Sequence, residues 1–393
     1  MTNDVSLALP ADAVGFIVLL LAAAVVIGAI AERVRVPYVV ALLLVSLPLQ
    51  ARQATSAFAP ALFFVFLPAL VFEAAWQLDL SIMKRVWRPA FFLALPGVAL
   101  TTTAIAFAAS LAGMPFIEAF LLGAILSATD PIAVVATFRN LAVPAELATI
   151  VEAESLFNDG VAAGLYGALT VAANGANASS LATIALDALR TTAGGVTMGL
   201  VVATMVVVTL QRVRDSMLAV VGTVVGAYGA YLLANHLHFS GIFAALVTAM
   251  ALRAFRRFPA DASAQVEIDR FWSVLAFIAN ALVFLLLGLR IQLNRTLNEP
   301  LMFAATLAAV AVSRVALAYL VTPLLRVAGG TPGWRHAIVF AGMRGALSLA
   351  LALALPASTP LRAEIIDIVF GVVTVTLVIQ GLAIAPVLRR VKL

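Results

Sequence analysis

The sequence predicts an all-α polytopic membrane protein with about 13 transmembrane helices, arranged as two inverted-topology repeats with interrupted crossing helices. Three observations predict it. Of the 393 residues, 64% are hydrophobic and 11% charged, whereas a soluble domain runs near half apolar and a quarter charged. Apolar runs of the roughly 20 residues needed to cross about 30 Å of hydrocarbon recur from end to end. Several of these runs hold Pro or Gly in mid-span, next to charged residues that lipid alone would not tolerate.

The runs fall at residues 13–32, 37–50, 57–75, 89–112, 117–138, 146–173, 190–211, 216–235, 240–253, 270–289, 300–325, 335–355 and 364–388. The second and ninth are short, and Ser179 to Arg190 reads as an amphipathic lead-in to the seventh. The segment before the first run, Met1 to Asp12, holds no Lys or Arg. It lacks the basic start of a cleavable signal peptide, so the first run is expected to be a retained helix. The chain ends five residues after the last run, which predicts no soluble regulatory domain.

Basic residues set the expected orientation. Of the 24 Lys and Arg, 17 fall on one side, four (Arg52, Arg290, Arg295, Arg362) on the other and three (Arg190, Arg314, Arg344) within the membrane. That split predicts an external N-terminus and a cytoplasmic C-terminus. The net charge of +5 follows from this cytoplasmic belt, and no basic run offers a nucleic-acid surface. The chain has no Cys and three His (His236, His238, His336) in no metal-ligating pattern, so neither a cofactor nor a disulfide is expected.

The repeats are read from a shared order. Ala69-Leu70-Val71-Phe72 in the third run recurs as Ala281-Leu282-Val283-Phe284 in the tenth, an offset of 212. The same offset carries Thr129-Asp130-Pro131 onto Ala341-Gly342-Met343, beside Arg344 and Gly345. Residues 13–173 and 216–388 then form opposed repeats within a single domain, residues 1–393, and residues 190–211 form a linker helix. Pro131 removes a backbone donor, while Gly342 and Gly345 weaken the helix. Carbonyls freed at membrane depth survive only where protein or a water-filled cavity satisfies them, and such a cavity is where an ion binds.

An ionisable group at the bilayer centre costs about 2.5–3.5 kcal/mol on insertion scales, so each needs a partner or a purpose. They cluster here: Glu73, Asp130, Glu152, Glu154, Asp159 and Arg344. The sixth run reads Glu152-Ala153-Glu154-Ser155-Leu156-Phe157-Asn158-Asp159-Gly160. At about 100° per residue, Asp159, Ser155 and Glu152 share a face, while Glu154 points about 140° away. The Asp159 and Ser155 face offers oxygen ligands suited to a hard cation, with Glu152 at the mouth of a cytoplasmic funnel. Asp130, after Thr129 and before Pro131, binds the ion or orients a ligand. Glu73 lies toward the cytoplasmic end of its helix. Glu154 is expected to form a structural ion pair with Arg344, the obvious cation at similar depth. Arg190 and Arg314 read as snorkelling or helix-packing residues, and His236 and His238 as solvated loop residues.

Four motifs, in this order, carry a specific resemblance: Ser127-Ala128-Thr129-Asp130-Pro131, Glu154 to Gly160, Phe271-Trp272 with Asn280 to Gly288, and Gly342-Met343-Arg344-Gly345-Ala346. With the weaker likeness at Val36-Pro37-Tyr38 they cover nearly the whole chain. The sequence resembles the NhaP-like sodium/proton branch of the monovalent cation:proton antiporter superfamily, related to the animal sodium/proton exchangers. The resemblance implies that Asp159 is the carboxylate shared by ion and proton, and that Asp130, Ser155, Glu73 and the Thr129 carbonyl complete the site. It implies that Glu154 and Arg344 pair, and that Asn158 stands where electrogenic relatives carry a second Asp, so exchange is electroneutral, one Na+ or Li+ for one H+. It also implies a homodimer in the cell membrane. Ser273 departs from the family pattern, where an acidic residue is expected, and the missing cytoplasmic tail argues against elaborate regulation.

Three rival readings differ in what they require. A K+/H+ antiporter requires only a different selectivity at the same site. A cation channel requires an open path with a ring of pore acids, which the sequence does not suggest. An intramembrane aspartyl protease built on Asp130 and Asp159 requires the Gly-x-Gly-Asp context, which is absent. The protein is therefore expected to be a transporter and not an enzyme, its partners being a monovalent cation, a proton and the lipid bilayer.

Overall fold

Apolar composition and helix-breaking residues together set the architecture in a computed structural model of the chain. It describes residues 11–34, 36–49, 59–174, 180–211, 213, 215–255, 262–290, 299–327 and 329–391. Arg35, Arg52, Arg212, Arg214, Arg256, Arg257, Arg295 and Lys392, among the basic residues that set the expected orientation, lie outside the described residues. All secondary structure among the described residues is helical.

The first helices are α1 (Ala11–Val34), α2 (Tyr38–Ser46), α3 (Ala59–Gln77) and α4 (Leu80–Leu111). The Asp79 carboxylate accepts from the amides of Ser81 and Ile82, fixing where α4 begins. The next span is broken into α5 (Phe116–Ser127) and α6 (Ile132–Asn140). It is followed by α7 (Ala145–Asn174), α8 (Leu181–Leu210), α9 (Ser216–His236) and α10 (Gly241–Ala254). Ser180, Asp215 and Ser240 accept hydrogen bonds from the first turns of α8, α9 and α10. The stretch read as a lead-in to the seventh run is the first part of α8 itself, since nothing after Leu181 interrupts the hydrogen bonding.

The remaining helices are α11 (Ala262–Arg290), α12 (Pro300–Leu320), the short α13 (Thr322–Val327), α14 (Gly333–Phe340), α15 (Ala346–Leu353) and α16 (Arg362–Arg390). Seven of the described helices are long and apolar enough to cross a membrane. Four shorter apolar helical segments, Tyr38–Leu49, Val65–Gln77, Phe116–Ser127 and Gly241–Ala254, lie among them.

Two groups of helices meet at the centre. On one side α4, α5 and α7 pack on one another, and on the other α3 packs against α9, α10 and α11. Within the second group the α3–α11 contact is built from rings: Phe72 stacks on Trp76 and tilts against Trp272, and all three side chains are fully buried. The broken helices cross between these groups, with α15 touching α3, α5, α7, α11 and α16.

Candidate functional site

Residues 128–131 and 341–345 leave helical geometry at the same place, and the Asp130 amide donates to the Met343 carbonyl at 2.8 Å. The Asp130 carboxylate then serves two helices at once. Its Oδ1 accepts from the Ile132 amide at 3.0 Å, at the start of α6, and its Oδ2 from the Ala346 amide at 3.3 Å, at the start of α15. Helix N-termini carry unsatisfied donors and a positive dipole end, so one buried anion stabilises both. This proximity explains Gly345, because a Cβ there would fall on the Asp130 carboxylate. Gly342 is constrained in the same way by the side chain of Arg314.

A cavity of about 70 Å3 opens beside this crossing, and its walls include Glu73, Thr129, Asp130, Glu152, Ser155 and Asp159. The helical phase of α7 accounts for three of them. Glu152, Ser155 and Asp159 face the cavity, while Glu154 points into protein. Thr129 Oγ1 and Ser155 Oγ share a hydrogen bond of 2.9 Å across the wall. The Asn158 amide donates to Thr129 Oγ1 at 3.2 Å and to Glu154 Oε1 at 3.4 Å. The Asp159 carboxylate stands on the same wall, and its Oδ1, like that of Asn158 beside it, is buried without a hydrogen-bond partner among the described residues. A buried acceptor in that condition costs about 1–3 kcal/mol, more when charged, unless something occupies the cavity beside it.

The expected pairing of Glu154 with Arg344 is corrected by the geometry. Glu154 pairs with Arg314 on α12, in a two-pronged contact whose second arm, Arg314 Nη2 to Glu154 Oε2, is 3.0 Å. Arg314 Nε donates to the Ile338 carbonyl on α14 at 2.8 Å, and both members of the pair are buried. Of the two expected readings of Arg314, helix packing holds and snorkelling does not: its fork ties α7, α12 and α14 together. Arg344 instead directs Nη1 to the carbonyls of Ser127 and Ala128, at 3.3 and 3.4 Å, and its amide donates to Thr376 Oγ1 on α16 at 3.3 Å. The reason is electrostatic. Arg344 emerges from the second interruption against the carbonyl end of α5, the negative end of that half-helix.

Glu73 and Glu152 both stand at the cavity wall and both have further interactions. Arg190 is exposed on α8, away from the site, and His236 and His238 are exposed near the end of α9. One polar cavity residue was not assigned from sequence. Asn280 on α11 lines the same cavity, is 8% exposed, and has an orphaned Oδ1. Its signal in the sequence is a lone polar side chain in the run from Leu275 to Leu289.

Comparison with known proteins agrees with this architecture. The family described as sodium/hydrogen exchanger, transmembrane, matches residues 19–390. The low-affinity Na(+)/H(+) antiporter NhaS1 of Synechocystis sp. is 35% identical over 339 residues, which cover 84% of this chain. The chain spans only 64% of that relative's length. The Na(+)/H(+) antiporter NhaP of Pseudomonas aeruginosa is 34% identical over 340 residues, covering 83% of this chain and 80% of that protein. The structure of the sodium proton antiporter MjNhaP1 from Methanocaldococcus jannaschii at pH 8 superposes with a TM-score of 0.76 at 21% identity, covering 95% of both chains, and so shares the fold. The chain, with its two interrupted helices crossing at Asp130, belongs to the transmembrane sodium/hydrogen exchanger family.

Proposed function

We propose that this protein is a secondary antiporter that exchanges Na+ or Li+ for H+ across the membrane, one for one, by competition of the two ligands for the Asp159 carboxylate. The observation that carries the reading is the orphaned Asp159 Oδ1 on the wall of the cavity that Glu73, Thr129, Asp130 and Ser155 share. The two buried arginines near this depth have other work, Arg314 with Glu154 and Arg344 with the α5 carbonyls, so neither supplies the missing charge. The named activities of the relatives point the same way.

Competition couples the fluxes. Either a cation or a proton neutralises Asp159, and only the neutral loaded site moves cheaply through a low-dielectric barrier. Carboxylates, the Ser155 hydroxyl and the Thr129 carbonyl supply the oxygens a hard cation prefers, with the Thr129 side chain held by Asn158 and in turn bonded to Ser155. Asn158 carries no proton, so the charge moved by the cation balances that of a single proton. Asp130 is a supporting group whose carboxylate holds two half-helices, and Glu152 stands at the mouth. The crossing halves of two inverted repeats would shift α7 against α3 and α11, opening Asp159 to each side in turn. We place the protein in the cell membrane as a homodimer, N-terminus outside and C-terminus cytoplasmic.

Proteoliposomes containing a pH-sensitive dye test the reading with Na+, Li+ and K+ gradients. Wild-type protein should alkalinise or acidify the lumen according to the direction of the Na+ or Li+ gradient, and Asp159→Asn should abolish the response. Exchange at the wild-type rate by that variant would defeat the assignment. A rate that changed under a valinomycin-clamped potential would defeat the one-for-one stoichiometry.

A further inference from the structure

Asn280 is the sole polar side chain between Leu275 and Leu289, and its neighbours Ala279, Ala281, Leu282 and Val283 are packed into the core. Its Oδ1 is buried without a hydrogen-bond partner among the described residues, yet it stands on the wall of the cavity that holds Asp159. An uncharged amide serving only to fill space there would be replaced at a gain by an apolar residue, since an unmet acceptor costs about 1–3 kcal/mol. Its placement gives it a different purpose.

The cavity draws on both sides of the helix interface. Thr129, Asp130, Ser155 and Asp159 come from the first interruption and α7, whereas Glu73 and Asn280 come from α3 and α11, which pack on each other. We propose that Asn280 Oδ1 is a neutral ligand of the transported cation, completing its oxygen shell from the α11 side and setting its affinity. This deepens the exchange reading above and rests on it. Carboxylates supply the charge that a proton can also satisfy, whereas an amide oxygen adds coordination without adding a titrating group. A neutral ligand therefore tightens the cation without disturbing the one-for-one balance. Hard cations favour such oxygen sets. The competing occupant is water alone, for which a cavity of about 70 Å3 also has room.

The test uses the 393-residue protein in proteoliposomes, measuring dye-reported exchange against Na+ and Li+ concentration for wild type, Asn280→Ala, Asn280→Ser and Asn280→Asp. Thermal melts in detergent monitor folding. Asn280→Ala is expected to raise the Na+ KM about tenfold, the equivalent of about 1.4 kcal/mol, with Vmax within about twofold of wild type. Asn280→Asp keeps an oxygen in the same place, so its KM should stay at or below the wild-type value. If the alanine variant does not fold, the serine variant carries the same expectation in smaller measure, with its KM between those of wild type and a site lacking the oxygen. An unchanged KM in the folded alanine or serine variant overturns the proposal, as does a KM raised equally by alanine and aspartate. A wild-type protein that exchanges no proton for Na+, Li+ or K+ overturns this proposal together with the reading beneath it, while normal wild-type exchange with an unaffected Asn280→Ala overturns this proposal alone.

Discussion

The two helix interruptions solve one problem with opposite charges. At residues 128–131 the chain breaks beside a proline and contributes an acid, which receives the first amides of both α6 and α15. At residues 341–345 it breaks between glycines and contributes a base, which reaches the last carbonyls of α5. Each break therefore supplies charge to a half-helix of the other, and Asp130 to one of its own as well. The difference in breaker follows from this. The second interruption must let Asp130 and Arg314 come close to its backbone, and only glycine leaves the room. The first is approached at its carbonyls, by the Arg344 side chain, and there a residue that removes a backbone donor suffices.

The largest expected effect breaks the brace that holds both interruptions in register. Glu154→Ala or Arg314→Ala should lower stability by about 3–5 kcal/mol, because each leaves an uncompensated buried charge. The double variant should lose much less than the sum of the singles in thermal melts. A cycle between Glu154 and Arg344 should show weaker coupling; equal coupling would reverse the corrected pairing.

Next comes the asymmetry between breakers. Gly345→Ala forces a Cβ onto the Asp130 carboxylate, an overpacking cost of about 1–3 kcal/mol that should appear as a roughly 10- to 100-fold loss in exchange rate. Pro131→Ala, which restores a donor without crowding the site, should cost less than about tenfold. The reverse order would show that the proline is the more constrained breaker.

Asp130→Asn removes the charge but keeps an acceptor, so it should weaken the two helix starts by about 1 kcal/mol in all and leave the fold intact. A melt unchanged from wild type would mean that the carboxylate is not serving both.

The smallest effect is a control outside the crossing. Asp79 accepts at the start of α4, and the Ser81 hydroxyl, with the amides of Ile82 and Ser81, holds its carboxyl below the ordinary value. Its contribution is therefore present above the ordinary carboxylate pKa and lost as pH falls through the lowered value. Asp79→Ala should cost about 1 kcal/mol near neutrality and less in strong acid, with exchange unaffected. A loss of exchange would place Asp79 in the transport path.

Much of the candidate site's geometry is legible in the sequence. The phase of residues 152–160 put Glu152, Ser155 and Asp159 on one face and Glu154 off it, because α-helical periodicity is a local property. The breakers beside Asp130 and Arg344 marked where backbone groups go unsatisfied. The partner of Glu154 was not legible, since Arg314 and Arg344 lie at similar depth and only the packing of α12 against α14 decides which reaches it. Asn280 was equally obscure as a cavity residue, because one amide in an apolar run carries no indication of what faces it.

The sequence by itself determined that the chain is a helical membrane protein with acids concentrated on one helix and breaks beside Asp130 and Arg344, because apolarity, periodicity and helix breaking act between near neighbours. The tertiary structure alone decided that one carboxylate serves two helix ends, that Arg344 turns to the α5 carbonyls while Arg314 holds Glu154, and that Asn280 meets Asp159 at one cavity. These contacts join residues far apart in the chain, and electrostatics between buried groups acts on distances in space that no local pattern encodes.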